Sequence, residues 1–126
     1  VKSGLEENIK VMGHLADEEK LGVLKSSRVL LFPSYYESFG IVILESMACG
    51  VPVVCYDLPP LRSLFSKGLV RVPVGDMDRF AEETMKILGD DSLREKLSHE
   101  GSEFAEACDW GLIAEKEEEI IGRPLP

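Results

Sequence analysis

Phe39-Gly40-Ile41-Val42-Ile43-Leu44-Glu45-Ser46-Met47-Ala48-Cys49 is apolar or glycine at every position except Glu45 and Ser46. The run predicts a helix from about Phe39 to Cys49, stopped by Gly50 with Pro52 beyond. A helix apolar nearly all round is buried on most sides. A carboxylate on such a helix is costly to desolvate unless donors meet it, so Glu45 needs a partner, from the protein or from a ligand.

On either side of this helix, short apolar runs alternate with segments of helical spacing, the pattern of consecutive β-α units and a parallel sheet. Four strands are predicted: Ile9 to Met12, Val29 to Phe32 halted by Pro33, Val53 to Tyr56, and Leu69 to Val72. Asp17 is expected to cap a helix running to about Ser26, with Glu18 and Glu19 in its first turn. Asp57-Leu58-Pro59-Pro60 reads as a rigid turn into a short helix, Leu61 to Ser66. From Asp76 onward the pattern is helical: one helix capped by Asp76 to about Leu88, one from Asp91 or Ser92 to about Cys108, and one from Asp109 to Ile121, ended by Gly122 and Pro124. The fold class is therefore α/β, with a parallel sheet of about four strands, flanking helices and a helical C-terminal tail.

The long apolar helix begins just past the C-terminal end of a strand, where open α/β sheets bind ligands. Ser38 is the expected N-cap, leaving backbone N–H groups around Phe39, Gly40 and Ile41 facing outward at the positive end of the helix dipole. Gly40 lets a ligand approach the backbone. Glu37 lies in the turn before the helix and Glu45 within it, so two carboxylates flank a polyol-sized space. Paired acids also suggest glycoside hydrolysis, but no long sugar-binding cleft is legible for that chemistry.

The chain's 126 residues suffice for one core. At 44% hydrophobic and 29% charged residues it is neither disordered nor membrane-spanning in composition. Val1 to Lys10 lacks the apolar core of a signal peptide, and a cytoplasmic setting is the expectation. A net charge of −9 with no basic cluster opposes nucleic-acid binding. Cys49, Cys55 and Cys108 fit no disulfide framework or zinc spacing and read as reduced core thiols. His14 stands alone, without the groups of a triad, and the run Glu115, Glu117, Glu118, Glu119 reads as a solvated helix face.

The run Pro33-Ser34-Tyr35-Tyr36-Glu37-Ser38-Phe39-Gly40, followed by Leu44-Glu45-Ser46-Met47-Ala48-Cys49-Gly50-Val51-Pro52-Val53-Val54, resembles the E-x7-E signature of retaining GT-B glycosyltransferases of the "glycosyl transferases group 1" family. The resemblance extends from about Ile9 to Leu88 and implies that residues 1–126 are part of a Rossmann-like nucleotide-sugar-binding domain, with β/α units to about residue 75 and helices beyond. It implies that Glu45 accepts hydrogen bonds from the nucleotide ribose, and that Glu37, as the catalytic-site acid, contacts hydroxyls of the transferred sugar beside the amides of Phe39 and Gly40, with Ser38 among the donor-binding residues. The amides of Ile41 and Val42 would lie near the diphosphate, and Met12, Gly13 and Leu15 would line the base pocket. The donor is a nucleotide-diphospho-sugar; no cofactor or metal is expected.

The resemblance further implies a missing N-terminal acceptor domain, an acceptor that can be membrane-associated, and a basic pair before Val1 that neutralises the diphosphate. Without these the chain alone should transfer nothing. Asp57-Leu58-Pro59-Pro60 departs from the family's small Gly-Gly pair near the donor. The family's sheet order, 3-2-1-4-5-6, would leave Ile9 to Met12 without neighbours, to be resolved by re-pairing within the chain, by a homodimer or by local disorder. A nucleotide-sugar epimerase shares this fold, and a non-catalytic interaction domain remains a reading from a different class.

Overall fold

A computed structural model describes residues 4–122. Among these, a 3-10 turn at Glu6–Asn8 precedes α1 (Asp17–Ser26), β1 (Leu30–Phe32), α2 (Ile41–Ala48), β2 (Val53–Tyr56), α3 (Pro59–Leu64), β3 (Leu69–Val72), α4 (Met77–Gly89), α5 (Asp91–Glu106) and α6 (Trp110–Ile121). The expected stop at Pro124 lies outside the described residues.

The strands form one parallel sheet in the order β1-β2-β3, with Leu30 opposite Val53 and Val53 opposite Leu69. Every residue of β2 is buried, as expected for a central strand covered on both faces. Alternation along β2 sends Tyr56 toward α4, where its ring meets Phe80 at a centroid distance of 5.3 Å. Ile43 and Met47 of α2, Leu61 of α3, Ile87 of α4 and Leu97 of α5 complete the same core.

The expected strand Ile9 to Met12 does not form. Those residues join no sheet, and Val11 is 89% exposed. Their composition favours extended backbone, but a strand is stable only when a neighbour pairs its N–H and C=O groups. The chain does not re-pair the segment onto β1 or β3, so the sheet has three strands rather than four among the described residues.

β1 is an open edge, with Leu31 47% exposed. Beside it runs an apolar groove of about 370 Å³ between Leu31, Tyr56, Met77, Phe80 and Met85.

Helix starts follow short polar caps where the sequence offers them. Asp76 accepts from the Arg79 N–H at 2.9 Å, Asp90 from the Leu93 N–H at 2.9 Å, and Asp109 from the Gly111 N–H at 2.7 Å. Asp90 thus takes the place expected of Asp91 or Ser92. At α1 the cap is Ala16 rather than Asp17, and the Glu19 carboxylate reaches back to accept the Ala16 N–H at 3.1 Å. Two prolines open α3, so it starts at Pro59, two residues before the expected Leu61; Leu58 stands before it in extended conformation.

Candidate functional site

Pro33 ends β1, and the loop beyond it is pinned twice. The Ser34 hydroxyl donates to the Tyr36 carbonyl at 2.7 Å, and the Tyr35 ring rests on Tyr56 with centroids 5.2 Å apart. Glu37 then turns back on the chain: its Oε1 accepts the backbone N–H of Ser38 at 2.9 Å and of Phe39 at 3.3 Å. The Phe39 amide expected to be open is therefore held by the neighbouring carboxylate, as is that of Ser38.

Nor does Ser38 cap the helix. Gly40 occupies the cap position with φ +79°, and α2 begins at Ile41. A Cβ at Gly40 would lie 2.9 Å from Leu61 Cδ2 and 3.1 Å from Ile43 Cδ1, so only glycine fits both the left-handed backbone and the space. The Ile43 N–H bonds to the Gly40 carbonyl at 2.9 Å. Ile41 and Val42, at the first two helical positions, have amides with no intrahelical acceptor, and among the described residues no other acceptor meets them. Of the donors expected open, Phe39 is thus held by Glu37, Gly40 and Ile41 have no acceptor among the described residues, and Val42 joins them.

Burial of α2 is also less complete than its composition suggests. Ile43, Ser46 and Met47 are buried, whereas Ile41 and Ala48 face solvent. Glu45 is 27% exposed, and its partner is a protein group: Lys20 Nζ of α1 donates to Glu45 Oε1 at 2.7 Å. The same ammonium lies 3.3 Å from Asp17. The hydrogen bond to Glu45, then that to Asp17, holds the Lys20 pKa above the ordinary lysine value. Lys20 was missed in the sequence because its only local signal is an i,i+3 relation to Asp17, common on any helix surface.

Of the remaining expected contacts, Met12, Gly13 and Leu15 lie in the segment leading into α1. Among the described residues no hydrogen bond ties them to α2. His14 is exposed, consistent with a surface histidine.

Where β2 ends, Asp57 takes Arg62 as a bidentate partner, Nε to Oδ1 at 3.0 Å and Nη2 to Oδ2 at 2.7 Å. The guanidinium holds the Asp57 carboxyl below the usual carboxylate range. The three cysteines are free thiols, and burial pushes Cys55 up to about 11, leaving it protonated and inert at neutral pH. No group of three His, Cys, Asp or Glu residues able to hold a metal occurs among the described residues. No helix there is long and apolar enough to cross a membrane.

The family model described as "Glycosyl transferases group 1" matches residues 2–104. The chain belongs to the glycosyl transferases group 1 family. Among relatives of this group 1 chain, the phosphatidyl-myo-inositol mannosyltransferase of Mycobacterium leprae (strain TN) is 38% identical over 114 residues, which cover 88% of this chain and 30% of that protein. The O-antigen chain mannosyltransferase B of Escherichia coli is 37% identical, over 87% of this chain and 29% of that protein.

In three dimensions, sucrose-phosphate synthase from Thermosynechococcus elongatus superposes with a TM-score of 0.83 at 31% identity, covering 94% of this chain and 30% of that one. TarM shares the fold at 20% identity and a TM-score of 0.78, covering 94% of this chain and 24% of that one. The group 1 chain spans about 30% of the length of the curated relatives it matches. The α/β class and the likeness to GT-B glycosyltransferase domains expected from the motif hold, with the sheet reduced to three strands.

Proposed function

We propose that the chain is the donor-binding part of a retaining glycosyltransferase that transfers a sugar from a nucleotide-diphospho-sugar to an acceptor hydroxyl. The observation that carries this reading is the N-terminal end of α2, where the Ile41 and Val42 amides lack acceptors and two carboxylates each have one oxygen held by protein. Glu37 Oε2 and Glu45 Oε2 have no hydrogen-bond partner among the described residues, so both present acceptors to ligand hydroxyls.

In this reading Glu45 takes ribose hydroxyls and Glu37 takes hydroxyls of the transferred sugar. The Ile41 and Val42 N–H groups face the diphosphate, whose negative charge grows as the glycosidic bond breaks. Preorganised amides at a helix N-terminus stabilise that charge without reorganisation. Neither carboxylate changes protonation; both position. The upstream remainder of a longer protein supplies the acceptor side and the cations that complete diphosphate binding, so this chain alone binds donor weakly and does not turn it over.

Calorimetric titration of the chain with several nucleoside diphosphates and nucleotide sugars tests the binding half. Binding weakened about tenfold or more by Glu45→Ala supports the reading. In the full-length protein Glu37→Ala should lower kcat more than it raises KM. Unchanged kinetics in both variants would remove the site assignment, and appreciable turnover by the 126 residues alone would remove the division of labour.

A further inference from the structure

We infer that Lys20 is a positioning residue for Glu45: by holding Oε1 it presents Oε2 to a vicinal diol of the ligand and offsets part of the carboxylate's charge on the helix that carries the open amides. The inference rests on the donor-binding reading above and concerns how that site is built. Glu45 is the one acid on a helix whose other residues are apolar except Ser46, with a flexible side chain that water would draw outward. Lys20 stops this by clamping one oxygen at 2.7 Å from a helix 25 residues away in sequence.

The clamp is itself anchored. Asp17, one turn back on α1, lies 3.3 Å from the same ammonium and biases the lysine toward this position. Other ion pairs between elements, Arg28 with Asp91 and Lys67 with Glu103, join side chains more exposed than Lys20 at 34% and Glu45 at 27%. The least exposed of these three bridges therefore sits at the candidate site.

Charge gives the second reason. An unpaired carboxylate next to amides that face a diphosphate would repel it. Lys20 lessens that repulsion while leaving the acceptor capacity of Oε2, because its shorter bond goes to Glu45 and occupies only one of the two carboxylate oxygens. A bridge serving only to tie α1 to α2 would have neither consequence for a ligand.

The experiment compares the four common ribonucleoside diphosphates, GDP and UDP among them, with their 2′-deoxy counterparts on the full-length protein, in wild type and in Lys20→Met, Lys20→Arg, Glu45→Gln and the double variant Lys20→Met/Glu45→Gln. Wild type should prefer the ribonucleotide by about tenfold, as expected when a hydroxyl-binding acceptor is left unpaired. Lys20→Met should collapse this preference toward unity, Lys20→Arg should restore most of it, and Lys20→Met should change nothing further once Glu45 is Gln.

If the preference persists in Lys20→Met but disappears in Glu45→Gln, the positioning role falls while the donor-binding reading stands. If wild type shows no preference, or binds none of the four common ribonucleoside diphosphates, both fall. Should Lys20→Met not fold, Lys20→Gln takes its place. A Lys20→Arg protein that folds but has lost the preference would also overturn the inference.

Discussion

At its C-terminal end α2 is sealed. The Gly50 N–H bonds to the Met47 carbonyl and the Val51 N–H to the Ser46 carbonyl, both at 2.9 Å, while Gly50 holds φ +72°. This is the Schellman arrangement, and the buried Ser46 hydroxyl adds a 3.0 Å bond to the Val51 carbonyl. The N-terminal end has the opposite character. No side chain caps it, the only cap-position device is a left-handed glycine, and the polar groups nearby are carboxylates held by one oxygen each. One helix thus has a structural end and an end whose donors and acceptors are left for something else.

The largest disturbance to this contrast is Gly40→Val. The left-handed backbone costs about 1–2 kcal/mol for a residue with a Cβ, and the contacts with Leu61 and Ile43 add overpacking. A total loss of about 3 kcal/mol is expected in urea unfolding, together with loss of nucleotide affinity. A loss below about 1 kcal/mol would mean that the open end is not sterically fixed.

Ser46→Ala tests the sealed end. Removing the hydroxyl leaves the buried Val51 carbonyl without that donor, and a loss of about 1–2 kcal/mol is expected with nucleotide affinity unchanged. If affinity falls as far as in Glu45→Gln, the two ends are coupled and the contrast fails.

The smallest effect belongs to Asp57 and Arg62, beyond β2 and outside both ends. Because Arg62 lowers the Asp57 pKa, the pair's contribution is present above the ordinary aspartate value, about 3.9, and is lost as pH falls through the depressed one. Arg62→Ala should shift Tm by about 2 °C or less at pH 7, since the pair is largely solvated. The two proteins should converge toward pH 2, within about 1 °C. Divergence on acidification would contradict the assignment.

Much of this was legible in the sequence because it depends on neighbours. Gly50 and Pro52 marked the stop of α2, Asp76 and Asp109 marked helix starts, and the three apolar runs that became β1 to β3 were visible as runs. The same local logic failed at Ser38, a residue type suited to capping, because the chain instead gives the Ser38 N–H to Glu37 and turns at Gly40. It failed again at Ile9 to Met12, whose composition suits a strand that has no partner.

Local signals along the chain specify the parallel α/β order, the spacing of Glu37 and Glu45 around an apolar helix, and the family that this motif marks. Packing between elements sets which donors at the head of α2 stay open, and brings Glu45 to Lys20 across 25 residues. Propensities, caps and stops act over a few residues along the chain. The partner of a half-buried charge and the fate of an edge strand depend on which elements pack side by side, which local signals do not encode.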